Sequence, residues 1–137
     1  MLSNQSFGAG VGSGANNISG SFSKECTVVD VIEIPMAANL TNDGTSIAIV
    51  AATVESIAMQ AFFDSSVASQ ATSDVTVKTN SSSMPDQTFT LKTNKPGVWN
   101  SDMPFDNPIT TNITVIYVTN PNSVAGTLKL TIGRNPA

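Results

Sequence analysis

The chain has 137 residues, a formal net charge of −4, 40% hydrophobic residues and only 12% charged residues. That length fits one domain with a core of its own, and the single cysteine, Cys26, excludes an internal disulfide. The basic residues Lys24, Lys78, Lys92, Lys95, Lys129 and Arg134 are dispersed, which leaves no electrostatic footprint for a nucleic acid or an anionic membrane.

Residues 1–20 (MLSNQSFGAGVGSGANNISG) are dominated by Gly, Ser and Asn, with isolated Phe7 and Val11. Such a segment buries too little apolar surface to fold alone. It is expected to be an N-terminal arm, either flexible or ordered against a neighbouring subunit, with Phe7 and Val11 as contact residues. No charged stretch followed by an apolar run marks a secretory signal. No apolar run is long enough for a membrane-spanning helix. Folding in a reducing cytoplasm is the expectation.

The domain is expected over residues 21–137, as short β-type runs separated by turn chemistry. A short strand at 21–24 leads into 27–34 (TVVDVIEI), rich in branched residues and stopped by Pro35. Asn42-Asp43-Gly44 reads as a tight turn. Residues 46–54 (SIAIVAATV) are apolar on both faces, as in a central strand, and 57–63 (IAMQAFF) place Ile57, Met59, Ala61 and Phe63 on one face. The apolar residues of 46–62 also recur at helical spacing, so a helix there is the alternative.

Residues 74–78 (DVTVK) alternate, with Val75 and Val77 inward, and 87–93 (QTFTLKT) do the same with Phe89 and Leu91. Residues 109–119 (ITTNITVIYVT) are expected to put Ile109, Ile113, Val115 and Tyr117 on one side, and 127–132 (TLKLTI) to turn Leu128, Leu130 and Ile132 inward. Seven or eight strands with turn signals between them predict an all-β fold: an antiparallel β-sandwich, jelly-roll-like.

The sequence offers little catalytic chemistry. It has no histidine, which removes the commonest general base, the Ser-His and Cys-His nucleophile pairs and histidine metal sites. Asp102 and Asp106 lie four apart in a loop, but a glycosidase would also want aromatics to stack a sugar, and the chain has one Trp and one Tyr. No calcium-loop or phosphate-loop motif is present. The expectation is a non-enzyme with no cofactor and no metal. The most distinctive stretch is 95–108 (KPGVWNSDMPFDNP), with Trp99 and Phe105 between prolines. Aromatics in a stiff loop can anchor an interface; alternatively the loop folds back and Trp99 caps an open end of the sandwich.

From residue 27 onward, the succession VVDVIEIPMAANLTNDGTSIAIV, VKTNSSSMPDQTFTLKTNKPGVWN, NPITTNITVIYVTN and GTLKLTIGRNP resembles the small capsid decoration or cement proteins of tailed bacteriophages. The resemblance implies a β-sandwich on the virion surface that binds the major capsid protein and self-associates as a symmetric trimer or dimer, with neither nucleic acid nor membrane as a partner. It supplies no set of functional residues. Competing readings are another phage subunit (tail, neck or head fibre) and a receptor- or carbohydrate-binding sandwich. The latter predicts a pocket lined by Trp99 and Tyr117.

Overall fold

The computed structural model describes residues 3–9 and 20–135. Its strands are β1 (Ser3–Ala9), β2 (Gly20–Cys26), β3 (Val28–Met36), β4 (Leu40–Ile49), β5 (Val54–Phe62), β6 (Val75–Thr79), β7 (Thr88–Leu91), β8 (Gly97–Asn100), β9 (Ile113–Asn120) and β10 (Gly126–Arg134). Single 3-10 turns at Ala51–Thr53 and Ala68–Gln70 supplement them, and no α-helix occurs among the described residues.

Strands β3 to β10 behave as one long hairpin. β6 pairs with β7, β5 with β8, β4 with β9 and β3 with β10, all antiparallel. The hairpin is rolled so that β10 also pairs with β5 and β9 with β6. Two four-stranded sheets result, in the orders β3-β10-β5-β8 and β4-β9-β6-β7. This nesting is a jelly roll; the alternation predicted the antiparallel sandwich, and the order of strands within it comes from the structure.

The core lies between the sheets. Ile34, Met36, Ile57, Met59, Ala61, Leu128, Leu130 and Ile132 come from one; Ile49, Val75, Val77, Leu91, Ile113, Ile116 and Val118 from the other; Phe63 follows β5 directly. The expected inward residues of 57–63, 74–78, 87–93 and 127–132 all pack in or against this core. Residues 46–62 are strand and turn, not helix.

Two expectations fail at irregularities in β4 and β9. Asn42-Asp43-Gly44 is not a turn but lies inside β4, where the pairing register with β9 shifts between Leu40 and Asp43. Asn42 has φ 46°, donates its N–H to Thr119 Oγ1 at 3.0 Å and accepts from that hydroxyl through Oδ1 at 3.3 Å. An amide residue in left-handed conformation is as suited to a bulge as to a turn. The reversal falls earlier, around Asn39, at φ 56°. The run 46–54 is consequently divided between the end of β4, the Ala51–Thr53 turn and the first residue of β5.

A second shift sets Ser46–Ile49 of β4, one residue longer, against the span from Ile113 to Val115 of β9. Along β9 the buried apolar residues are Ile113, Ile116 and Val118, so the inward phase slips by one between Ile113 and Ile116, and Val115 and Tyr117 take the outer face with Gly44 opposite Tyr117. A slip of one residue exchanges the two faces for every side chain beyond it.

Ahead of the jelly roll, β1 and β2 form an antiparallel ribbon; β1 falls within the segment expected as an arm. At the end of β2, Cys26 packs on the outer side of the first sheet, 1% exposed and with Sγ 3.6 Å from Ser56 Oγ. Only a glycine fits beneath it: a Cβ on Gly133 would overlap both Cys26 Sγ and Ser56 Oγ.

Buried amides tie the loops at one end of the sandwich. Asn120 Nδ2 donates to the carbonyls of Ala37 and Val124, both at 3.0 Å. Its Oδ1 accepts from Asn122 N at 3.1 Å and Asn122 Nδ2 at 3.0 Å. Asn122 in turn exchanges hydrogen bonds with both backbone groups of Ser73, and Asn39 N donates to Asn122 O. Three loops are thus joined through two side chains that are 0% and 3% exposed. Asn120→Ala leaves several of these groups unpaired and is expected to lower unfolding free energy by about 2–4 kcal/mol. Urea denaturation followed by circular dichroism measures this; a loss under about 1 kcal/mol would mean that water replaces the amide.

Candidate interaction surface

The sequence-predicted contact residues separate in the structure. Phe7 lies on β1 in register with Phe22, and Val11 lies outside the described residues. Trp99 is not in an irregular loop but on β8, the edge strand of the first sheet. It pairs with Ile57, whose side chain is core, so the indole faces inward and packs half-buried against the core. The strand was hidden in the sequence because it is four residues long and starts directly after Pro96.

Edges β7 and β8 lie on the same side of the sandwich. Between them the sheets part to leave an apolar recess of about 160 Å³ lined chiefly by Ile57, Met59, Phe89, Leu91, Trp99 and Pro108. Trp99 Nε1 donates to the Phe105 carbonyl at 2.7 Å, which holds the 101–108 loop against the indole. Asn100 caps the start of that loop, with Oδ1 accepting from Asp102 N at 3.0 Å and its carbonyl accepting from Met103 N. Asn107 Oδ1 accepts from Ile109 N at 2.8 Å at the far end. Phe105 is left 72% exposed beside the recess. The structure therefore brings Trp99 and Phe105 together, the first ring a wall of the recess and the second largely exposed.

Tyr117 stands on the outer face of the other sheet, across from Gly44 and Lys78, whereas Trp99 faces inward on the first. The two aromatics share no pocket, so the arrangement expected of a Trp99–Tyr117 sugar site is not present.

The outer faces are built in cross-strand rows. On the first sheet Val31, Thr131, Ala58 and Val98 run side by side from β3 to β8. On the second, Thr90, Thr76 and Thr119 form one row, and Thr88, Lys78, Tyr117 and Gly44 form the next. Hydroxyl, small apolar and aromatic groups predominate in these rows, with Lys78 the one charge among them; on the first sheet Glu33 and Lys129 stand opposite each other in a neighbouring row. Strand β3 pairs on one side only, through nine residues in unbroken register. Val31 on it is 69% exposed. Its charges sit at Asp30, bound to Arg134 Nε at 2.7 Å, and at Glu33, opposite Lys129. Such residues restrain uncontrolled edge pairing without blocking it.

Acid-base chemistry is sparse. Among the described residues no group of three or more His, Cys, Asp or Glu residues is placed to hold a metal ion. Asp64 is held below its ordinary value of 3.8 by hydrogen bonds from the N–H and hydroxyl of Ser66 in an exposed turn.

No family model and no curated protein matches the chain. Among solved structures, it is similar to a chain described under "Bacillus endospore appendages form a novel family of disulfide-linked pili", at 14% identity and TM-score 0.41, covering 80% of this chain and 88% of that one. It is also similar to a functionally unknown conserved protein (mutant) from Bacillus anthracis str. Ames, at 13% identity and TM-score 0.38, covering 80% of this chain and 23% of that one.

Trp99 is expected to act in stability before it acts in binding. Trp99→Phe loses the bond to the Phe105 carbonyl and part of the indole's packing and should cost about 1–2 kcal/mol. Trp99→Ala empties the seam and should cost about 2–4 kcal/mol. Equal losses in chemical denaturation would show that the indole body contributes nothing to the core.

Proposed function

We propose that this chain is a structural virion protein that binds the outside of a bacteriophage capsid and cements neighbouring major capsid subunits. The observation that carries the reading is the make-up of its two outer sheet faces. They present rows of Thr, Val, Ala and Tyr with few charges among them, Lys78 and the Glu33–Lys129 pair, on a jelly roll braced by buried amides, in a chain with only 12% charged residues. Faces with little charge repulsion favour coverage by a partner. The resemblance to capsid decoration proteins adds to this.

Adhesion on such a surface needs no cofactor or metal. The free side of β3 offers main-chain donors and acceptors to a neighbouring sheet, the mode of β-augmentation. Each contact is weak, and symmetry on a shell multiplies it. On this reading the protein is made in the host cytoplasm and resides on the virion surface. It binds the major capsid protein and self-associates as a symmetric oligomer.

Mass spectrometry of purified virions tests the reading. A copy number equal to that of the major shell protein, or a simple symmetric fraction of it, is expected, together with saturable binding of the purified protein to preformed shells. Absence from particles defeats it. Polymerisation of the isolated chain into tubes or rings without shell binding would assign it to a tail instead.

A further inference from the structure

Beside the β7–β8 recess stands a side chain of the size it lacks. The recess measures about 160 Å³ and its walls are apolar. Dry apolar cavities of about 150 Å³ take up a benzene ring. Phe105 is 72% exposed and stands one hydrogen bond from the recess: its carbonyl accepts from the indole of Trp99 at 2.7 Å, and Trp99 is itself a wall of the recess. The ring is not among the residues that line the recess of its own chain. We infer that the recess is the docking site for Phe105 of a second copy of this chain, the two copies exchanging rings across a two-fold axis.

Geometry selects the two-fold. Knob and recess lie on one side of the molecule, separated by a single indole. A head-to-tail series needs complementary features on opposite sides, whereas features on one side are satisfied by an isologous pair. The loop carrying Phe105 is already held at Asn100, Trp99 and Asn107, so little ordering cost remains on association. Area sets the strength. An aromatic side chain carries about 150–250 Å², and two of them with their recess walls fall below the roughly 800 Å² per partner of a standard interface. The free chain therefore forms a weak dimer, with a dissociation constant on the order of 0.1–1 mM. This inference does not rest on the capsid reading: a chain that never meets a shell would pair in the same way.

Two substitutions separate knob from recess. Phe105→Ala removes the knob. Gly97→Leu fills the recess: Gly97 pairs with Met59, whose side chain is core, so a side chain there points inward, and its Cβ would meet nothing nearer than the Met59 carbonyl at 3.9 Å. Sedimentation equilibrium of the wild-type protein up to about 1 mM should fit a monomer–dimer equilibrium, and each variant should weaken it by about tenfold or more. The decisive measurement is a mixture. In isotope-labelled Phe105→Ala protein, the indole N–H resonance of Trp99 should shift on addition of unlabelled Gly97→Leu protein, which still carries the knob. It should stay still on addition of unlabelled Phe105→Ala protein. If Gly97→Leu does not fold, toluene serves in its place and should dissociate the wild-type dimer by occupying the recess. A wild-type protein that stays monomeric overturns the inference. So does association that is indifferent to Phe105→Ala, or that proceeds to trimers or chains.

Discussion

Burial of one row of β10 governs this fold. Leu128, Leu130 and Ile132 are 0–3% exposed on a strand hydrogen-bonded to β3 on one side and β5 on the other. Fully burying each such side chain contributes about 1.5–3 kcal/mol. Three together contribute about 4.5–9 kcal/mol, comparable to the lower part of an ordinary domain's net stability of about 5–15 kcal/mol. β10 also joins the outermost strand of the rolled hairpin to its inner part. If β10 does not dock, β3 has no sheet, β5 loses a neighbour and the roll cannot close.

Around that apolar row, asparagine does what charged residues and long loops do elsewhere. Asn39, Asn42, Asn80 and Asn94 are the non-glycine residues with positive φ among the described residues, and each sits where strands turn or slip. Two of them, Asn80 and Asn94, lend their amides as surrogate backbone. Asn94 accepts from Phe63 N and donates to Phe63 O. Asn80 Oδ1 accepts from Thr114 N, and its Nδ2 donates to Asn112 O. Asn120 and Asn122 gather three loops in the same way. An uncharged amide carries both donor and acceptor at a smaller desolvation cost than an ion. A chain rich in asparagine and poor in charge can therefore satisfy the loop ends of a jelly roll with neutral side chains.

The same economy of charge shapes the exterior. The sheet faces carry few charges, the β3 edge is long and only lightly guarded, and the sandwich gapes at the β7–β8 seam because both bordering strands are four residues long. Trp99 half-fills that gap and, through the Phe105 carbonyl, positions the most exposed aromatic of the described chain beside it. Stability and adhesion thus meet at one residue. Truncating Trp99 would loosen the core, the recess wall and the Phe105 loop together, so cleaner tests of binding act on Phe105 and Gly97.

The all-β class and most inward faces were legible in the amino-acid sequence, because Val75, Val77, Phe89, Leu91, Leu128, Leu130 and Ile132 alternate with polar residues. Alternation is local, and it reports a strand wherever one face is buried and the other wet. It failed at Asn42 and in β9, since a bulge inserts one residue, reverses the parity beyond it and leaves no compositional mark that a turn would not also leave. Three things were decided only by tertiary structure: the nesting of β3–β6 against β7–β10, the joining of loops through Asn120 and Asn122, and the recess between two short edges. Each depends on residues far apart in the chain arriving in one place. Side-chain pattern along a strand says which face is buried, but not which strand lies beside it.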